Sequence, residues 1–199
     1  EDLKGEYLRE ALKRGLALQE QFGTNPFKYG MVASTDTHNG LATGEKESNF
    51  WGKFVADQPG PKRWDHVMST DQDGYKRLGW TQVAAGITGV WASENTREGI
   101  WDAMQRRETY ASSGPRISVR FFGGYDFSKQ DADPATLVAT GYARGVPMGG
   151  DLQAAPAGKA PTFLFAVMKD PQSANLDSAQ IIKGWVDAKG ETHEQIFNV

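Results

Sequence analysis

Asp36-Thr37-His38 is the stretch of this chain best equipped for chemistry. In an extended backbone successive side chains alternate, so a carboxylate and an imidazole two residues apart share a face while Thr37 points away. Such a pair suits a divalent cation such as zinc, manganese or iron, which takes ring nitrogens and carboxylate oxygens. A catalytic zinc usually holds about three protein ligands, and the sequence offers just two further histidines, His66 and His193. The plainer alternative is an Asp that caps a turn beside a partly exposed His. Asn39-Gly40, a turn signal, follows directly and serves either reading.

Other residues carry weaker signals. His66 follows Trp64-Asp65 and reads as a surface histidine, or as a proton donor to a leaving group if its segment closes over a site. Arg116 follows Gly114-Pro115; its guanidinium could hold an anionic substrate group bidentately, or staple the joint between two domains. Glu94 and Asn95 open a helix and read first as caps. His193, among Glu191, Thr192 and Glu194, reads as structural or solvent-facing. Asp71, Asp73, Asp131 and Asp133 stand among turn residues and read as solvated surface, without the later Gly and Glu of a calcium loop. Trp51, Phe54 and Trp64 either pack a lid or floor a substrate cleft.

The elements that must position these groups follow from hydrophobic spacing. Leu8, Leu12 and Leu16 mark a helix from Leu3 to Phe22, with Gly23 as its stop. A buried strand is expected at Tyr29–Ser34, ahead of the Asp-x-His pair. Residues 39 to about 78 are dense in Gly, Pro, Asp and Lys and read as a long lid. Gly86–Ala92 reads as a second buried strand running into a helix, where Asn95 and Glu98 have capping-box spacing and Ile100, Trp101 and Met104 form the apolar face. This alternation predicts parallel β/α architecture over residues 1–115. From 116 to 199 only strand-like segments are expected: Ile117–Phe122, Leu137–Ala143, Thr162–Met168, Ala179–Val186 and Glu191–Val199. The last two flank the turn Asp187-Ala188-Lys189-Gly190. This half is expected to be an antiparallel β-sandwich-like domain.

Composition bounds the function classes. The 199 residues carry 22 basic and 25 acidic side chains, a formal charge of −3, with no concentrated basic patch. Nucleic acid is therefore not an expected partner. No stretch approaches the roughly 20 apolar residues of a membrane-spanning helix, so none is expected in a membrane. Cysteine is absent, which removes disulfides and thiolate ligands but leaves the compartment open. Too few strands precede residue 115 to close a barrel, and Phe197-Asn198-Val199 falls within a strand pattern. The expectation is a fragment whose bare edge is covered by a missing N-terminal half or by another copy.

Several motifs together carry a family resemblance. Asn25-Pro26-Phe27-Lys28-Tyr29-Gly30 and Ser34-Thr35-Asp36-Thr37-His38-Asn39-Gly40 resemble the DUF3604 proteins. So do Glu94-Asn95-Thr96-Arg97-Glu98, Thr109-Tyr110-Ala111-Ser112-Ser113-Gly114-Pro115-Arg116 and Lys183-Gly184-Trp185-Val186-Asp187. That family is similar to the PHP superfamily of metal-dependent phosphoesterases and related hydrolases. The resemblance implies the C-terminal part of a distorted β/α barrel, with metal ions at the C-terminal ends of its strands. It implies that Asp36 and His38 match the late Asp-x-His metal motif. Glu94 to Arg107 would be the last barrel helix, and Ser112 to Arg116 the exit into the β domain. The early His-x-His motif and the middle ligands are absent from this sequence, so negligible hydrolysis is expected of the chain alone. The expected activity is metal-dependent hydrolysis of a small-molecule substrate. The alternative is a non-catalytic module that recognises carbohydrate or protein through aromatics such as Trp185 or Tyr142.

Overall fold

The computed structural model describes residues 7–41, 50–55 and 63–199. They fall into two compact units, Glu1–Tyr29 with Ala174–Val199, and Gly30–Ser173. Parts of the expected lid, residues 42–49 and 56–62, lie outside the described residues.

In the first unit, helix α1 (Leu8–Phe22) stops at Gly23, whose φ of 76° admits a glycine readily. Its N–H returns to Gln19 O at 2.8 Å. Gly15 is buried on the helix because a Cβ there would lie 2.3 Å from Asn25 Oδ1. Strands β8 (Gln180–Val186) and β9 (Thr192–Asn198) form the expected antiparallel hairpin, from Gln180↔Asn198 to Val186↔Thr192. Arg9 of α1 reaches Glu194 of β9 at 2.8 Å.

The second unit holds three sheets. Strands β1 (Val67–Thr70) and β2 (Lys76–Leu78) make a small hairpin inside the expected lid. Its turn is organised by Asp71, whose Oδ1 accepts from Asp73 N and Tyr75 N at 3.0 and 2.8 Å. Strand β3 (Ile87–Val90) pairs with β4 (Thr109–Ser112), and helix α2 (Arg97–Gln105) lies between them in sequence. This pairing is antiparallel, from Ile87↔Ser112 to Val90↔Thr109, which corrects the parallel β/α expectation. The helix leaves and returns at the same end of β3, so the whole excursion acts as a long hairpin connection rather than a crossover. Thr96 caps α2, accepting from Gly99 N at 3.1 Å, one residue later than the expected Asn95.

The expected strand at Tyr29–Ser34 carries no ladder of its own. The segment runs beside β3 through other contacts: Thr88 Oγ1 donates to Ala33 O at 2.7 Å and accepts from Ala33 N at 3.0 Å. Gly86 lets Ser34 approach so closely that a Cβ would meet its carbonyl at 2.4 Å. A side chain and a glycine stand where backbone pairing would otherwise run.

The third sheet has the order β6-β5-β7, all antiparallel, with β5 Ser118–Gly124, β6 Val146–Pro147 and β7 Thr162–Met168. Helix α3 (Leu137–Arg144) packs on it, so the portion beyond residue 116 is not all-β, and the strand expected at 137–143 is corrected. Leu137 and Gly141, four residues apart, are its buried positions, a helical period rather than a strand's alternation. Phe122, Leu137 and Leu164 form the core, with Phe127 against them. The fold is mixed α/β with small antiparallel sheets, and no barrel closes among the described residues.

Candidate functional site

From Met31 to Gly40 exposure alternates, with Ser34, Asp36 and His38 exposed and Ala33, Thr35 and Thr37 half-buried. On the less exposed side the Thr35 and Thr37 hydroxyls meet at 2.9 Å. Asp36 and His38 therefore share the open face, although Asp36 itself holds a left-handed φ of 57°. That conformation is uncommon for a residue with a Cβ, and it recurs at functional sites.

What fixes the pair is the segment of Trp51 and Phe54, and within it Lys53, which sequence reasoning passed over. His38 N donates to Lys53 O at 2.7 Å, and Asn39 Nδ2 donates to Gly52 O at 2.8 Å. Lys53 is only 5% exposed, and its ammonium donates to the Asp36 carbonyl and, at 2.5 Å, to the Asp36 carboxylate. A buried ammonium needs a countercharge, and Asp36 supplies it. The hydrogen bond and charge of Lys53, with a smaller contribution from His38, hold the Asp36 carboxyl below its usual range. The His38 ring lies 5.0 Å from the Phe54 ring, tilted by 41°. Phe50, buried at 2%, packs on Trp64 at 5.2 Å and anchors the segment that carries Lys53. Trp51 is 42% exposed.

The donor types of Asp36 and His38 fit a divalent cation. The donor number falls short: among the described residues no third His, Asp or Glu joins them in a metal-sized group. His66 lies on the exposed lead into β1, its carbonyl accepting from Gly79 N at 3.0 Å. Arg116 is exposed, and its backbone N donates to Asp170 Oδ2 at 2.8 Å.

The one metal-sized group among the described residues lies in the other unit. Asp187, Glu191 and His193 place ligand atoms within 4.8 Å of one another at the tip of the β8–β9 hairpin. Turn geometry accounts for much of it. Asp187 Oδ1 accepts from Lys189 N and Glu191 N at 2.9 and 3.0 Å, and Oδ2 lies 2.9 Å from His193 Nε2. The His193 ring stacks on Trp185 at 5.4 Å.

A further constellation has no motif in the sequence. Glu108, 2% exposed, follows α2, and its backbone pairs with Trp91 N at 3.0 Å. Arg106 Nη2 donates to Glu108 Oε2 at 3.3 Å, while the Tyr142 hydroxyl of α3 donates to Oε1. Arg120 of β5 donates to the Tyr142 oxygen at 3.0 Å, and its guanidinium carbon lies over the Trp91 ring, 3.4 Å from the centroid. Burial, followed by the neighbouring Glu108 carboxylate, pushes the Tyr142 hydroxyl above its usual pKa.

Comparison with known proteins adds one finding. A family model described as "Protein of unknown function (DUF3604)" matches residues 1–199. No curated protein and no solved structure matches the chain.

Proposed function

The chain belongs to the DUF3604 family, and from that premise we propose that Asp36 and His38 supply ligands to the metal centre of a PHP-like hydrolase. The observation that carries this reading is their shared exposed face, opposite the paired hydroxyls of Thr35 and Thr37. A divalent ion bound there would lower the pKa of a coordinated water that attacks a phosphoryl or acyl centre.

The chain's own residues prepare that chemistry. Lys53 keeps Asp36 ionised, and so keeps its oxygens able to act as ligands. The Phe54 ring and the bond from His38 N to Lys53 O fix where the imidazole begins. Two ligands are fewer than a catalytic site uses, so this reading requires further donors from outside the described residues or from a second copy. His66 stands as the candidate proton donor and Arg116 as the candidate anion contact. The bond from Arg116 N to Asp170 also suits a stapling role.

Metal content of purified full-length protein tests this. Asp36→Ala and His38→Ala should each lower bound zinc, manganese or iron measured by plasma mass spectrometry. Unchanged stoichiometry in both variants removes the reading. Lys53 favours a second one, a non-catalytic recognition module, because its ammonium already meets the Asp36 carboxylate at 2.5 Å where a metal would bind. Metal-free protein that still binds a carbohydrate or protein ligand would decide for that module.

A further inference from the structure

The cleft around Glu108 is the most fully built site in the second unit. It has a volume of about 510 Å³ and is lined by Trp91, Ser93, Arg106, Glu108, Arg120 and Tyr142 among others. That volume suits a small organic molecule, whose pockets run from roughly 300 to 1,000 Å³.

Its charges do not cancel. Two guanidiniums face a single carboxylate, which leaves one positive charge in excess. Glu108 has both oxygens engaged, one by Arg106 and the other by the Tyr142 hydroxyl, with Arg120 Nη1 a further 3.7 Å away. A guanidinium carries five donors. Glu108 engages one amino group of Arg106, and Tyr142 with Glu108 engages one of Arg120. The remaining N–H groups of the two forks are open to water or to a ligand.

The arrangement is also stiff. Arg120 is clamped between the Trp91 face and the Tyr142 hydroxyl, and Trp91 is fixed in turn by its indole N–H on Val119 O at 2.9 Å. Arg106 sits at the end of α2, where the chain reverses through Arg107 with a φ of 60°. Gly149 presses so near that reversal that a Cβ would lie 2.2 Å from Arg107 O. The Arg120 fork, held in place, loses little freedom on binding, which favours planar or tetrahedral oxyanions.

We propose that the cleft binds the carboxylate or phosphate group of a small molecule between Arg106 and Arg120, with Glu108 and Tyr142 setting the spacing of the two guanidiniums. The site is independent of the metal reading, since neither Asp36 nor His38 lines it.

The test is a titration of the full chain with inorganic phosphate and, separately, sodium acetate at constant ionic strength. Binding is followed through the Trp91 indole ¹⁵N–¹H resonance, assigned with Trp91→Phe. At least one anion should shift that resonance saturably, and the stronger of the two identifies the group preferred. Arg106 is half exposed on its side chain, so Arg106→Gln should keep the fold, checked by an unchanged amide spectrum elsewhere, and weaken binding about tenfold, as loss of one charge-assisted bond predicts. Arg120→Lys keeps the charge but loses the guanidinium over the Trp91 ring, and should weaken binding as well. Absence of a saturable shift with both anions overturns the proposal. So does an affinity that Arg106→Gln and Arg120→Lys both leave unchanged.

Discussion

A buried ammonium beside an exposed carboxylate makes the titration of Asp36 depend chiefly on one neighbour. Lys53 Nζ contacts both the carbonyl and the carboxylate of Asp36, and it is the largest cause of the lowered Asp36 pKa. Lys53→Met keeps the length and apolar stem of the side chain while removing its charge. The Asp36 pKa, followed by carboxyl ¹³C shifts, should rise back toward its ordinary value of 3.8. A pKa that stays depressed in Lys53→Met would show that the backbone around Asp36, not the ammonium, stabilises the ionised form. The shared exposed face of Asp36 and His38 was legible because their spacing is local. Lys53 was not, because a charged side chain between Gly52 and Phe54 carries no sign in the sequence that it will be buried. The same holds for Glu108 with Arg106, Arg120 and Tyr142. That constellation gathers side chains from the turn after α2, from β5 and from α3, and only the folded chain brings them together.

Elements announced by strong periodicity and clean stops were readable. Helix α1 ends at the expected Gly23 stop but begins at Leu8, after an extended Tyr7, rather than at Leu3, while β3, α2 and the β8–β9 hairpin with its turn at Gly190 (φ 82°) lie where the spacing put them. Pairing direction was not readable, since β3 and β4 look the same whether α2 crosses over or doubles back. Of the apolar face expected on α2, Ile100 is half-buried but Trp101 and Met104 are 60% and 45% exposed, whereas Gly99 and Ala103 are buried. Close packing here selects small residues, and apolar periodicity alone points to the wrong stripe. Helix α3 gives the sharpest case. Gly141 stands in its interior, where replacing Gly by Ala normally gains about 1 kcal/mol of helix propensity. A Cβ at Gly141 would lie 2.5 Å from the Phe122 ring, itself 1% exposed. Overpacking of a filled core costs roughly 1–3 kcal/mol, enough to cancel or outweigh that gain. Gly141→Ala should therefore lower stability in urea unfolding by up to about 2 kcal/mol, the difference between those terms. A stabilised variant would mean that the α3–β5 contact can slide apart at little cost.

Both compact units carry carboxylates whose ionised form is favoured by folding, and this fixes the sign of the chain's response to acid. Asp36, Asp131 and Asp170 lie in Gly30–Ser173, and Asp187 lies in the other unit. Each has a pKa lowered from 3.8. The leading causes differ: Lys53 for Asp36, the backbone N–H of Ser128 for Asp131, that of Arg116 for Asp170, and the bond from His193 for Asp187. For a depressed carboxylate the unfolded chain takes up its proton first as pH falls. The contribution to stability is therefore complete above the unfolded value and is lost as pH drops through the folded one. Net charge works in the same direction, because protonating 25 acids leaves 22 lysines and arginines and 3 histidines unbalanced. Thermal unfolding followed by amide resonances from each unit should show midpoints nearly constant in the carboxylate-ionised range. Below about pH 4, where ordinary aspartates begin to protonate, both midpoints should fall. Asp131→Asn with Asp170→Asn should flatten the fall in Gly30–Ser173 and leave that of the α1 and β8–β9 unit as it was. If the double variant keeps the full acid slope in Gly30–Ser173, general charge repulsion rather than these particular hydrogen bonds governs its acid sensitivity.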